Sequence, residues 1–349
     1  MRKSLVSILI PNYNYDRYLK ECLDSVLAQT YDNFEVIISD NRSTDDSYDT
    51  ISLYRKKFLE RGIWCDVLQN KRNIGSAGNT AMCYSRSEGE YFIWLSSDDS
   101  LEPDAIENMV RGLDMNPHAG FVMVHRNEMD DSGIKKEIAP FYNQSCYIPG
   151  EEQAAVFMMA GIAVSSQILF RKIVYQNMLK WKQLRFQVAG DWYDNFLMAC
   201  VGDVVYIKKA LVNYRIHGGN ETSDSEANLM GIFEHYNLIN AFCSLADSFG
   251  MTRPQKRYKE AVKKLGYMCL RYARKMIMNQ QYNVAEKYLK LATILYDEME
   301  SDVRYIELKQ SLQSPNPAEA VQSIATDGTY VREISYDPPE GSIRIEVLE

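Results

Sequence analysis

Residues 91–99 read YFIWLSSDD. Five consecutive apolar side chains stopped by two serines and two aspartates are too short a run for a buried helix and fit a fully buried strand. Such a strand belongs to a sheet covered by helices. It delivers Asp98 and Asp99 at its C-terminal end, where open α/β sheets bind ligands. After it, Pro103 occupies a first-turn helical position, and a helix is predicted to about residue 113.

Strand and helix signals alternate on both sides of this segment. An apolar run over residues 5–10 stops at Pro11, and a helix over 18–27 follows, with Leu19, Cys22, Leu23 and Val26 at helical spacing. FEVII (34–38) is a second strand closed by Ser39-Asp40-Asn41, after which residues 43–45 offer a cap for a helix to about residue 59. A weaker strand spans 65–68, and residues 73–79 lead into another helix. Strands are predicted at 121–124, 163–171, 204–206 and 212–217, with a helix over 192–200. This alternation predicts an α/β domain over residues 1–223, with a Rossmann-like, mostly parallel sheet flanked by helices.

From about residue 225 only helix signals remain, so a small C-terminal helical region is predicted over 224–312. Tyr258, Val262, Leu265, Cys269, Tyr272 and Met276 form one apolar stripe within a basic segment, 253–277. Residues 313–349 contain Pro315, Pro317, Pro338 and Pro339 and end in an alternating segment. They read as a linker and tail with a short peripheral strand.

The bulk composition narrows the function. The 349 residues are 46% hydrophobic, enough for a packed core, and a formal net charge of −8 argues against general nucleic-acid binding. Seven scattered cysteines without a CxxC pair read as reduced thiols of a cytosolic protein. The N-terminal apolar run imitates a signal peptide but is interrupted too early at Pro11, and no stretch is long enough to span a bilayer.

Several strand ends carry residues suited to a nucleotide. Asp98 is the preferred ligand for a hard divalent cation, which takes carboxylate and phosphate oxygens. Asp40, past the second strand, is placed to accept a hydrogen bond from a pyrimidine or guanine ring, and Tyr13 to stack on the same base. The small, polar stretch from Asn73 through Gly75 to Asn79 offers backbone to a ribose or diphosphate at a helix N-terminus. Asp191 begins a helix, where a carboxylate is also an ordinary partner of the helix dipole. In Tyr214-Arg215-Ile216-His217-Gly218-Gly219, Arg215 and His217 alternate to one strand face. Both are candidates for a diphosphate, and His217 also for the metal.

Taken in order, VSILIPNYN, FEVIISDNRSTDDS, RNIGSAGN, YFIWLSSDD with LEPDAI, GDWYDNFL and YRIHGGN resemble the family 2 glycosyltransferases of the GT-A fold over about residues 4–223. The resemblance implies inverting transfer from a nucleoside-diphosphate sugar with Mg²⁺ or Mn²⁺. It implies that Asp40 reads the base, Asp98 holds the metal, Asp191 is the general base and His217 lies in the loop over the diphosphate. Pro11, Tyr13, Asn73, Gly75, Asn79, Ser97 and Arg215 complete the expected donor site. The chain departs from the family pattern at Ser96, where many members have aspartate, and at Gly190, where glutamate is frequent. The expected acceptor is a glycan or lipid-linked hydroxyl in cell-surface polysaccharide synthesis, reached from the cytoplasm with peripheral membrane contact through 253–277. A catalytically idle nucleotide-binding module of an assembly complex is the alternative. A nucleotidyltransferase ranks lower, because the glycine- and arginine-rich phosphate loop of that class is replaced by Pro11-Asn12-Tyr13-Asn14.

Overall fold

The computed structural model describes residues 3–186, 189–217, 229–322, 324 and 334–346. Eleven strands form one sheet: β1 (Val6–Asn12), β2 (Phe34–Asp40), β3 (Trp64–Gln69), β4 (Tyr91–Trp94), β5 (Ser100–Leu101), β6 (Ala119–Met129), β7 (Lys135–Lys136), β8 (Cys146–Ile148), β9 (Ile168–Arg171), β10 (Asp203–Arg215) and β11 (Ile343–Arg344). The flanking helices are α1 (Asp16–Leu27), α2 (Ser47–Glu60), α3 (Ser76–Arg86), α4 (Ala105–Met115), α5 (Gly150–Phe157), α6 (Lys172–Leu179) and α7 (Gly190–Val201). A helical region follows: α8 (Met230–Ser248), α9 (Arg253–Lys256), α10 (Tyr258–Met278), α11 (Tyr282–Leu295), α12 (Val303–Ser311) and α13 (Pro317–Ala320).

The strand order is β11-β8-β10-β6-β9-β4-β1-β2-β3. β3, β2, β1 and β4 are mutually parallel, β9 is antiparallel to both β4 and β6, and β6 and β10 are again parallel. β9 therefore lets β4, β6 and β10 all point one way. Their C-terminal ends, at Trp94, Met129 and Arg215, share an edge with those of β1 and β2.

Apolar side chains cover both faces. Val6, Ile8 and Ile10 pack with Leu19, Leu23 and Val26 of α1 on one side. On the other, Phe92 stacks on Phe170 at 5.2 Å and meets Trp94 edge-on at 4.7 Å. α8 is part of this second layer, since Phe242 stacks on Phe196 of α7 with centroids 4.0 Å apart. α10 to α12 enclose a further cluster around Tyr288, Leu289 and Met276.

The structure departs from the sequence expectations in identifiable places. Residues 204–206 and 212–217 are not separate strands: β10 runs through them, with register shifts between Ile207 and Val212 where it passes β6. Residues 163–171 are strand only from Ile168. The segment 253–277 breaks at Arg257 between α9 and α10. The tail adds β11 to the edge at β8, and Tyr336 bridges to Tyr142.

α5 lies so close to the end of α7 that glycine is required at its first position. A Cβ on Gly150 would come within 2.2 Å of the Ala199 carbonyl oxygen and 2.8 Å of that of Gly202. Gly150→Ala is expected to lower stability by about 1–3 kcal/mol, because the backbone must move to admit the methyl group. Denaturant unfolding measures this, and an unchanged midpoint would contradict the packing.

Candidate active site

The acidic turn after β4 is held from three sides. Asp99 points inward and is buried: Ser166 Oγ donates to its Oδ2 at 2.6 Å and the Arg215 backbone N–H to its Oδ1 at 2.9 Å. Burial, and then the neighbouring Asp98 charge, push its carboxyl up to about 7. Asp98 points the other way, partly open to solvent, with Oδ2 3.1 Å from His217 Nε2. His217 is fixed by the rings of Tyr18 at 5.1 Å and Tyr15 at 5.7 Å. The expected proximity of Asp98 and His217 is thus present in the geometry, two donors brought together from β4 and from just past β10.

Arg215 is not placed to meet a diphosphate, contrary to the expectation from strand alternation. Its guanidinium is buried beneath the turn. Nε donates to the Asp98 carbonyl and Nη1 to the Asp130 carbonyl, both at 2.9 Å, and Nη2 pairs with Glu21. Tyr18 lies against it, 4.6 Å from ring centroid to Cζ. A planar guanidinium with donors in several directions suits such a bracket.

At the ends of β1 and β2 the expected nucleotide residues divide in two groups. Tyr13 is 39% exposed and offers an open ring face. Gly75, at φ +80°, opens α3 with Ser76 and Ala77 exposed behind it, and Asn73 Oδ1 accepts from the Gly75 N–H at 2.8 Å. By contrast, Asn79 is buried and fully bonded, accepting from Ser39 Oγ and Asn70 Nδ2 and donating to the carbonyls of Asn12 and Ser39. It ties the strand ends together rather than facing a ligand. Ser97 is likewise buried, donating to the Pro11 carbonyl at 3.3 Å. Asp40 has no exposed surface. Its carboxylate accepts from Asn12 Nδ2, Ser43 Oγ, Ser43 N and Gln69 Nε2 at 2.5–3.3 Å, which fills the acceptor positions of a carboxylate.

Asp191 lies in the first turn of α7. It receives the Trp192 N–H at 2.7 Å and touches solvent, yet protein crowds it closely enough that burial pushes its carboxyl up to about 6. Burial pushes the Tyr214 hydroxyl up, Arg126 opposes this, and the charges of Asp99, Asp98 and Asp191 add to it. Gly190 leaves room for a side chain, since nothing stands within 4 Å of a Cβ built there. The loop at 218–223 lies outside the described residues.

Sequence reasoning missed Glu21, Tyr18, Ser166 and Arg126. Arg126 alone carried a signal, a cation directly after the buried run FVMVH. Among the described residues no three His, Cys, Asp or Glu side chains form a metal cluster. Asp98 and His217 could together offer two protein donors to a cation, which would need further oxygens from elsewhere. That composition suits Mn²⁺ or Mg²⁺ beside a phosphate ligand, with the imidazole better matched to manganese.

The parallel strands, the acidic turn at their C-terminal edge and the carboxylate on the adjoining helix define a glycosyltransferase of the GT-A type. Residues 7–177 match the family described as Glycosyl transferase family 2. The chain is 40% identical over 222 residues to an uncharacterised glycosyltransferase of Rickettsia prowazekii, spanning 63% of this chain and 66% of that protein. It is 28% identical over 249 residues to one of Nostoc sp., spanning 68% and 75%. A 106-residue stretch is 42% identical to the chondroitin synthase of Escherichia coli, taking in 30% of this chain but only 15% of that protein. In structure it is similar to S. aureus TarS 1–349 in complex with UDP-GlcNAc, at a TM-score of 0.53 and 17% identity over 88% of this chain and 90% of the other. The mannosyltransferase PcManGT of Pyrobaculum calidifontis, in complex with GDP-Man and Mn²⁺, gives 0.54 and 14% over 90% and 85%. The chain belongs to glycosyltransferase family 2.

Arg215 and His217 differ in how many of the protein's own groups depend on them, which separates their variants. Arg215→Ala is expected to lose about 2–4 kcal/mol of stability, since it removes the donors to the Asp98 and Asp130 carbonyls and empties the bracket. His217→Ala is expected to stay within about 1 kcal/mol of the native protein. Thermal unfolding of the pair compares them directly, and equal melting temperatures would contradict the assignment.

Proposed function

We propose that the chain transfers a sugar from a nucleoside diphosphate to an acceptor hydroxyl with inversion, assisted by a divalent cation. The reading is carried by the Asp98–His217 pair, 3.1 Å apart at the end of the sheet, with Asp191 in the first turn of α7 as the base. Asp191 takes the proton from the acceptor hydroxyl as that oxygen attacks the anomeric carbon and the diphosphate leaves from the opposite face. One carboxylate on the attacking side favours inversion, and a general base of this kind contributes about 10²–10⁴-fold. Asp98 and His217 would hold the cation, whose chemistry when bound is to neutralise charge on the diphosphate. Asp99, Arg215 and Ser166 keep Asp98 aimed outward.

On the base side, Tyr13 provides the stacking surface, and the N-terminus of α3 faces the ribose or phosphates. Asp40 joins them if a ring N–H displaces Gln69, which is exposed and makes the longest of the four bonds to that carboxylate, at 3.3 Å. The acceptor is a glycan or a lipid-linked glycan in cell-surface polysaccharide synthesis. This rests on the partial likeness to a chondroitin synthase and on exposed Met230, Phe233 and Tyr236 on α8, the helix whose His235 packs on Trp192. Among the described residues no helix is long and apolar enough to cross a membrane. Peripheral contact from the cytoplasmic side uses fewer cations than the basic segment contains. Arg253 pairs with Glu152 and Glu340, Lys264 donates to the Met159 carbonyl and Arg274 to that of Ile324, while Lys256 and Lys259 are exposed.

Asp191→Asn is expected to abolish transfer, assayed with UDP-GlcNAc and GDP-mannose as donors, while nucleoside-diphosphate binding by calorimetry is preserved. A base must be unprotonated, so native activity is present above about pH 6 and falls as pH drops through that value. Retained turnover in the variant would overturn the role of Asp191.

A further inference from the structure

His217 follows directly on the bond that ends the pairing of β10 with β6, in which the Ile216 N–H donates to the Met129 carbonyl at 2.9 Å. Strand pairing therefore does not by itself orient the imidazole. The start of α1 meets it instead. Tyr15 and Tyr18 are three residues apart there and so lie on one helix face. The Tyr18 ring is the nearer, 5.1 Å from the imidazole at 32°, and the Tyr15 ring is 5.7 Å away at 64°. The imidazole is left 9% exposed, with Nε2 3.1 Å from Asp98 Oδ2.

Tyr18 is itself fixed at its far end. Its hydroxyl donates to Asp131 Oδ1, and the same carboxylate pairs with Arg17. Asp131 belongs to a turn tied across itself: Asp130 Oδ1 accepts the N–H groups of Ser132 and Ile134, both at 2.9 Å, and the Gly133 N–H donates to the Asp130 carbonyl at 3.0 Å. The guanidinium carbons of Arg17 and Arg215 lie 4.4 and 4.6 Å from the centroid of the Tyr18 ring, within the range at which a cation is drawn to an aromatic face. Space filling does not require the hydroxyl, since phenylalanine has the same ring. The hydroxyl reaches a carboxylate that is 56% exposed on another element, and its effect is to set where the ring stands.

We propose that Tyr18, anchored by Asp131, is the positioning residue for His217: its ring holds the imidazole at the angle that presents Nε2 beside Asp98 to a divalent cation. The inference rests on the reading of His217 as a cation donor given above. A free imidazole loses rotamer freedom when it ligates, whereas one already held has little left to lose. Tyr18 thus raises affinity for the cation without touching it.

The test is the Mn²⁺ affinity of the full chain with UDP or GDP present, read from the electron paramagnetic resonance of free Mn²⁺. Tyr18→Leu, which removes the ring, is expected to weaken binding about tenfold. Asp131→Ala keeps the ring and removes its anchor at an exposed position, so it serves if the leucine variant does not fold; a smaller loss, about threefold, is expected. Asp131→Asn keeps an acceptor for the hydroxyl without the charge and is expected to bind as the native chain does. In a His217→Ala background, Tyr18→Leu is expected to add nothing further, because its effect runs through the imidazole. Native affinity in Asp131→Ala or in folded Tyr18→Leu overturns the proposal, and so do equal losses in Asp131→Ala and Asp131→Asn. An undiminished effect of Tyr18→Leu without His217 also overturns it, placing the action of Tyr18 on Arg215. If His217→Ala alone binds Mn²⁺ as tightly as the native chain, the reading of His217 as a donor fails, and this proposal falls with it.

Discussion

The bracket between Arg215 and the acidic turn sets the geometry of the whole ligand edge. Two adjacent carboxylates repel, and a turn carrying both has no inherent reason to present one outward and one inward. Here Asp99 is drawn in by Ser166 Oγ and the Arg215 N–H, and burial favours its protonated form. Asp98 is left outward because the Arg215 guanidinium holds its backbone carbonyl from beneath. The same strand that supplies Arg215 carries His217 two residues on, so one strand end both fixes the turn and delivers the second donor beside it.

That coupling depends on strand direction. β10 reaches the edge only because β9 runs against β4 and β6, restoring β6 and β10 to the orientation of β1, β2 and β4. The residues just before β9, Ser166 and Gln167, consequently fall at the same edge. Ser166 bonds Asp99 and Gln167 bonds Arg126, so one short 3-10 turn serves both the acidic turn and the strand cation Arg126. α7, which carries Asp191 in its first turn, is tied to the loop before β9 by Asn195 Nδ2 donating to the Ala163 carbonyl.

The elements with strong period were legible in the sequence, and the direction of polar side chains was not. β1, β2 and β4 are short apolar runs with abrupt polar ends, and they were identifiable on that ground alone. β10 was read as two pieces because Lys208 and Lys209 interrupt the pattern, and the ladder with β6 is irregular there, with Lys209 pairing with Asp104 at the surface. α5 and α6, eight residues each, are too short to show a clear helical period and were not predicted. Asp40, Asn79, Ser97 and Arg215 were all expected to face a ligand. A polar residue at a strand end satisfies a ligand or its own backbone with the same chemistry, and only the fold decides which. In these four the protein's own groups take up the hydrogen bonds, whereas Tyr13, Asp98 and Asp191 keep solvent contact. Arg126 was missed because its partners, Gln167 and Tyr214, are distant in sequence.

The central claim is that donor phosphates meet a cation at Asp98 and His217 with Asp191 across from them. A crystal structure of the full chain with Mn²⁺ and UDP or GDP tests this most directly. The account predicts an anomalous manganese peak shared by Asp98, His217 and the diphosphate, with Asp191 facing the space beyond the terminal phosphate. Manganese bound elsewhere, or a diphosphate lying away from both Asp98 and Asp191, would contradict it.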